Sequence, residues 1–182
     1  QQHCVAVGEI GLDTFLVEHK QPEAFQKQQD FFAAQLEIAR HRQKPVLLHI
    51  RKAHAETLKI LKQQQFQFGG IAHAFSGGVE EAKALIKLGF KIGVTGQITN
   101  PNAKKLRRVV QEIGAEHLVL ETDCPDMTPL CCQTDTQSRT RNTPANLIYV
   151  LEGLADCLDI APQTLAAQIW QNSIQILDLP KL

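Results

Sequence analysis

Four short apolar runs each lead into a side chain able to bind a metal ion. Val5-Ala6-Val7-Gly8 leads into Glu9, Val46-Leu47-Leu48 into His49, Gly70-Ile71-Ala72 into His73, and Leu118-Val119-Leu120 into Glu121-Thr122-Asp123. Carboxylates and imidazoles suit zinc, manganese and related divalent ions. An ion held in this way lowers the pKa of a water and polarises a phosphoryl oxygen, so the implied chemistry is metal-assisted hydrolysis. Taken singly, each residue has an ordinary reading. A strand-end Glu serves as a salt-bridge partner, a His as hydrogen-bonded structure, and an Asp before Cys124-Pro125 as a turn former. The specificity lies in the conjunction, because all four fall at equivalent places in successive units. His3, His19, His41, His54 and His117 lack that setting and read as surface or packing residues.

The elements that position these residues alternate between strand and helix patterns. Strands are expected over Cys4–Ile10, Pro45–Ile50, Gly70–Phe75, Lys91–Gly96 and His117–Thr122. Helices are expected over Pro22–Arg42, roughly 54–65, Val79–Leu88, a stretch carrying Leu106, Val109, Val110 and Ile113, and two closing segments. Those last four residues recur at i, i+3, i+4 and i+7, one face of a helix. One closing helix carries Leu147, Val150, Leu151, Leu154 and Ala155, and the other Leu165, Ile169 and Ile176. Strands alternating with helices imply βαβ units and a parallel sheet. The strands are short and nearly continuous in apolar character, as strands covered on both faces are. Ligands at the C-terminal ends of successive strands match the mouth of a TIM barrel, where that fold keeps its chemistry. A doubly wound sheet is the rival, but no Gly-rich phosphate turn follows the first strand.

With 182 residues, 43% of them hydrophobic, the chain is long enough for one domain with a real core and is unlike a disordered segment. Lys+Arg and Asp+Glu both total 19, so the formal net charge is zero. That argues against a nonspecific grip on long nucleic acid, yet leaves room for a phosphate-bearing substrate in a pocket. Cys4, Cys124, Cys131, Cys132 and Cys157 form no CxxC pair, and five is a poor number for a disulfide framework. Reduced thiols in a cytoplasmic protein are expected. No run approaches the roughly 20 apolar residues of a membrane span, and no signal peptide is visible. The sequence opens Gln1-Gln2-His3 and enters a strand at once. Five expected strands, against the eight of a barrel, point to a partial barrel over residues 1–182 whose first βα units, about 90 residues, lie outside it.

The wording of the motifs narrows this further. Gly8-Glu9-Ile10-Gly11-Leu12-Asp13, Leu48-His49-Ile50-Arg51, His73-Ala74-Phe75-Ser76-Gly77, Ile92-Gly93-Val94-Thr95-Gly96 and Glu121-Thr122-Asp123-Cys124-Pro125-Asp126 occur in the order seen in the TatD family. Arg141-Asn142-Thr143-Pro144 resembles another segment of these metal-dependent hydrolases, which are often described as deoxyribonucleases. The resemblance implies a TIM (β/α)8 barrel of the metal-dependent hydrolase type with one or two divalent ions, magnesium, manganese or zinc. It implies Glu9 as the carboxylate bridging both ions, and His49 and His73 as ligands of one. It implies Asp123 as a ligand of the other and as the group that orients or deprotonates the attacking water. The family's His-x-His pair, which ends its first strand, has no counterpart here, and His3 precedes the wrong strand. If these residues were the whole molecule, weak metal affinity and little activity are expected; in a longer chain, the remainder supplies the pair.

Around these residues, Arg51 is a candidate for meeting a substrate phosphate, with a surface ion pair as the alternative. Ser76, before Gly77-Gly78 and a helix, is either a substrate contact or a plain N-cap. Asp13 is a candidate for holding a His N–H, Gly93 and Gly96 for close packing at the mouth, and Arg141 and Asn142 for pinning the loop after Asp123. The reaction expected is phosphodiester hydrolysis, most specifically of DNA. Alternatives are a metal-dependent ester or amide hydrolase of small substrates and an inactive, truncated barrel. A complete barrel is expected to be a monomer, whereas a truncated one exposes strand edges that invite self-association.

Overall fold

The computed structural model describes residues 4–134 and 140–180. His3 falls outside the described residues, as do residues 135–139 in the segment between Asp123 and Arg141. Five strands, β1 (Val7–Asp13), β2 (Val46–Arg51), β3 (Gly70–His73), β4 (Phe90–Val94) and β5 (Leu118–Leu120), form one parallel sheet. Between and after them lie α1 (Pro22–His41), α2 (His54–Gln63), α3 (Val79–Lys87), α4 (Lys104–Ile113), α5 (Leu147–Leu158) and α6 (Pro162–Leu177).

The strands pair in simple chain order, β1-β2-β3-β4-β5. A doubly wound sheet reverses its order at a switch point, where ligands bind. Successive barrel staves do not reverse, so this order excludes the rival architecture. The fold is barrel-type, with its consecutive staves in register: Leu48 opposite Ala72, Ala72 opposite Ile92, Ile92 opposite Leu118.

The helices form where apolar spacing demands. Leu106, Val109, Val110 and Ile113 are all buried along α4, and Phe32, Leu36 and Ala39 along α1. Pro22 and Pro162 occupy the first turns of α1 and α6, where a missing N–H leaves no bond unmade. Gly89 follows the α3 cap at φ 85°, the left-handed stop that favours glycine. In α6, Ile174 is buried and Ile176 only partly so, and the buried Asn172 donates its amide to the carbonyls of Ala115 and Leu118.

One strand departs from expectation in a way that matters. β1 runs to Asp13 because Gly11, Leu12 and Asp13 pair with His49, Ile50 and Arg51. Val7 pairs with Val46 but Ile10 with Leu48, so β1 carries an extra residue between them, a bulge at Gly8–Glu9. Such bulges re-aim a side chain. Glu9 therefore sits within the strand, not at its end. On the inner face, Leu47, Ile71 and Val119 meet Ser173 and Leu177 of α6 around a cavity of about 300 Å3 that opens onto Glu9, His73 and Glu121. No helix among the described residues is long and apolar enough to cross a membrane.

Candidate metal centre

The four strand-associated candidate side chains converge, with His73 at their centre. Its Nε2 stands 3.5 Å from Glu9 Oε1 and 3.4 Å from Asp123 Oδ1. The same Glu9 oxygen lies 2.9 Å from His49 Nδ1, and His49 Nε2 lies 3.2 Å from Asp13 Oδ2. His73 is the deepest of the set, with 16% of its side chain exposed against 46% for Glu9.

Glu121, two residues before Asp123 and outside the four candidate ligands, fixes His73. One of its oxygens accepts from His73 Nδ1, and the other accepts from the backbone N–H of Ala74 at 2.6 Å. The space for it is provided across the sheet by Gly93, where an added Cβ would fall 2.1 Å from Glu121 Oε1. With Nδ1 committed to Glu121, Nε2 is the ring atom turned to Glu9 and Asp123. A carboxylate behind a ligating imidazole is the usual device for setting its tautomer and orientation.

The electrostatics follow from this crowding of carboxylates. The hydrogen bond to Glu121 raises His73 to about 9; burial opposes the rise, and the charges of Glu121, Glu9 and Asp123 add to it. Burial lifts Asp123 above the ordinary aspartate value; His73 pulls it down, while Glu121, Glu9 and Asp126 push it up. Burial also pushes Asp13 upward, but the Phe15 N–H, the His49 ring and the charges of His49 and Arg51 outweigh it, leaving Asp13 lowered.

The supporting residues divide. Asp13 holds His49 and is itself clamped by Gln28 of α1, which accepts from its N–H at 2.8 Å and donates to its carbonyl at 3.0 Å. Asn142 is 2% exposed and pins the loop after β5, donating to the carbonyls of Thr122 and Asp126. Asp123 adopts φ 53°, a conformation that Asp tolerates better than most residues. Arg51 is exposed at the end of β2. Ser76 is not brought to the cluster by any contact: its hydroxyl donates to Ile50 O at 3.5 Å, and the Gly78 N–H at the start of α3 donates to Glu81. Cys131 and Cys132 are free thiols with sulfurs 3.9 Å apart.

As placed, no three His, Cys, Asp or Glu side chains among the described residues form a group that could hold an ion. The donors stand instead in pairs. Two donors at about 2.1 Å from a tetrahedral ion lie about 3.4 Å apart, which is the spacing of the Glu9–His73 and His73–Asp123 pairs. Imidazole and carboxylate donors, a His tautomer set from behind and this spacing fit a divalent ion.

Comparison with known proteins agrees with this chemistry. The family described as TatD related DNase matches residues 1–178. The chain belongs to that family. An uncharacterized metal-dependent hydrolase of Haemophilus influenzae is 34% identical over 174 residues, 96% of this chain and 64% of that relative. A protein of Pantoea sp. named 3'-5' ssDNA/RNA exonuclease TatD is 36% identical, over 98% of this chain and 67% of its own length. Among solved structures, the YjjV TatD homolog of Escherichia coli K12 superposes with a TM-score of 0.86 at 34% identity, covering 96% of this chain and 64% of that one. The chain thus spans just under two thirds of several relatives, and its fold is the TatD barrel type.

Proposed function

We propose that the chain forms one partial-barrel domain over residues 1–182 of a TatD-like, divalent-metal-dependent hydrolase that cleaves phosphodiester bonds, with DNA as the substrate. The observation that carries this reading is His73, held from behind by Glu121 and facing Glu9 and Asp123. The family's description as DNases and the exonuclease name of the Pantoea relative support the choice of substrate. Five free thiols suit a cytoplasmic location.

In this reading Glu9, His49, His73 and Asp123 would hold one or two ions, magnesium, manganese or zinc. A divalent ion held there would supply Lewis acidity to a water and to a phosphoryl oxygen. Asp123 would orient or deprotonate the attacking water, the work of a general base. Glu121 keeps His73 oriented, and Asp13 does the same for His49. Arg51, one pleat repeat beyond His49, neutralises the substrate phosphate; Ser76 is a second, more distant contact.

The test is hydrolysis of a short single-stranded oligonucleotide with each of the three metals. Glu9→Ala and Asp123→Ala are expected to lower the rate at least about 100-fold, within the range that one acid–base group contributes. Variants cleaving as fast as the parent would overturn the assignment of roles. Turnover of a small carboxylic ester, with oligonucleotides left intact, would replace phosphodiesterase by esterase.

A further inference from the structure

The loop that leaves β1 sets an aromatic ring against the cations that end β2. The Arg51 guanidinium carbon lies 3.6 Å from the centroid of the Phe15 ring, and Lys52 Nζ lies 4.9 Å from the same centroid. Phe15 is not core filling, since 42% of it is exposed. Its backbone is fixed by two short links. The Phe15 N–H donates to Asp13 Oδ1 at 2.7 Å, and the hydroxyl of neighbouring Thr14 donates to Lys52 O at 2.8 Å.

Arg51 shares a sheet face with His49, because alternate residues of a strand point to the same side. It stands two residues, about 6.6 Å, nearer the mouth. Among the described residues its guanidinium has no hydrogen-bonding or ion-pair partner. The carboxylate opposite it on β1 is Asp13, and both Asp13 oxygens are engaged, Oδ1 by the Phe15 N–H and Oδ2 by His49 Nε2. A guanidinium stacked on a ring keeps its N–H edges available, and those edges match two phosphate oxygens. A long side chain free in solvent would lose much of that advantage to rotamer freedom.

We propose that Phe15 is a positioning residue, holding the Arg51 guanidinium flat at the mouth beside the Glu9–His73 cluster so that it receives a phosphate of a nucleic acid strand. This rests on the phosphodiesterase reading. Phe15 does not itself touch the reacting atoms. It acts through the attraction of its ring for the cation, which increases with Trp and is absent with an aliphatic side chain.

The experiment is a fluorescence-anisotropy titration of a fluorescein-labelled thymidine octanucleotide with the chain, at low salt and with free metal chelated so that cleavage does not interfere. Arg51→Ala is expected to weaken binding about 5- to 10-fold and to flatten the dependence of log K on log salt by about 0.7, the share of one contact to single-stranded nucleic acid. Phe15→Ala and Phe15→Leu are expected to weaken binding about 3- to 5-fold, whereas Phe15→Tyr keeps the parent affinity and Phe15→Trp keeps or exceeds it. Far-ultraviolet circular dichroism and thermal midpoints verify that every variant is folded. Parent-like binding by the Phe15→Leu variant, alongside weakened binding by Arg51→Ala, would overturn the role of Phe15 while leaving the nucleic-acid reading intact. A folded parent that does not bind the octanucleotide would overturn both.

Discussion

Glu121 grips His73 from behind, accepting from its Nδ1 with one carboxylate oxygen while the other accepts the N–H of Ala74, the next residue along the chain. One side chain on the exit of β5 thereby fixes both the ring and the backbone at the end of β3. The arrangement depends on β4, which lies between those strands and has no side chain at Gly93.

Gly93→Ala is therefore expected to expel the Glu121 carboxylate, because the new Cβ would lie 2.1 Å from Oε1. Glu121→Gln keeps the volume but removes the charge. Loss of a carboxylate behind a ligating imidazole lowers metal affinity about 10- to 100-fold. Both variants are expected to fall in that range by isothermal titration with zinc or manganese. Parent-like affinity in Glu121→Gln would reduce Glu121 to a structural contact.

Asn142→Ala is expected to destabilise the fold by about 3 kcal/mol, since a buried group stripped of its partner costs about 1–3 kcal/mol and this amide serves several. Besides Thr122 and Asp126 it holds the Thr143 N–H and the Asn146 amide through its carbonyl oxygen. Urea unfolding measures the loss. Hydrogen exchange would place the earliest opening in the loop over 122–126 that carries Asp123. A midpoint within error of the parent would mean that the loop holds without this residue.

How much of this was legible beforehand follows from where each signal resides. Leu106, Val109, Val110 and Ile113 specify α4 by spacing alone, and the chain order of elements specifies a parallel barrel-type sheet. The bulge at Gly8–Glu9 was hidden, because an extra residue breaks the alternation that marks a strand, and β1 was therefore expected to end early. Glu121 was visible as a residue but not as a partner of His73, because that relationship needs the register across three strands and the hollow at Gly93. Its signal was the alternation that places Val119 and Glu121 on one face.

His54 gives the pH prediction. It packs edge-on against Phe75 at 5.4 Å, and its Nε2 is buried without a hydrogen-bond partner among the described residues. Burial lowers its pKa; Glu81 counters this weakly and Lys105 reinforces it. The unfolded chain then binds the His54 proton more readily than the folded chain, so this residue's contribution to stability is complete above about 6.5 and is lost as pH falls below that value. His54→Leu is expected to unfold at a less pH-dependent urea midpoint between pH 7 and 5 than the parent. Parallel pH profiles for the two proteins would show that His54 binds its proton equally well in the folded and unfolded chains.

The edges of the sheet yield the last prediction. Among the described residues β1 and β5 each pair on one side only, leaving backbone N–H and C=O groups along both edges. Apolar side chains near them remain partly open, Val5 at 39% exposed and the inner-face cavity beside Leu47, Ile71 and Val119. Unpaired parallel edges next to an apolar face template further pairing unless something covers them. The 182-residue chain alone is expected to self-associate in a concentration-dependent way by analytical ultracentrifugation. Val5→Lys, which places a charge just before the β1 edge, is expected to shift that equilibrium toward monomer by several-fold in dissociation constant. A monomer at all concentrations in the parent would mean that the edges are protected, and α6, which already reaches the inner face through Ser173 and Leu177, is the element positioned to protect them.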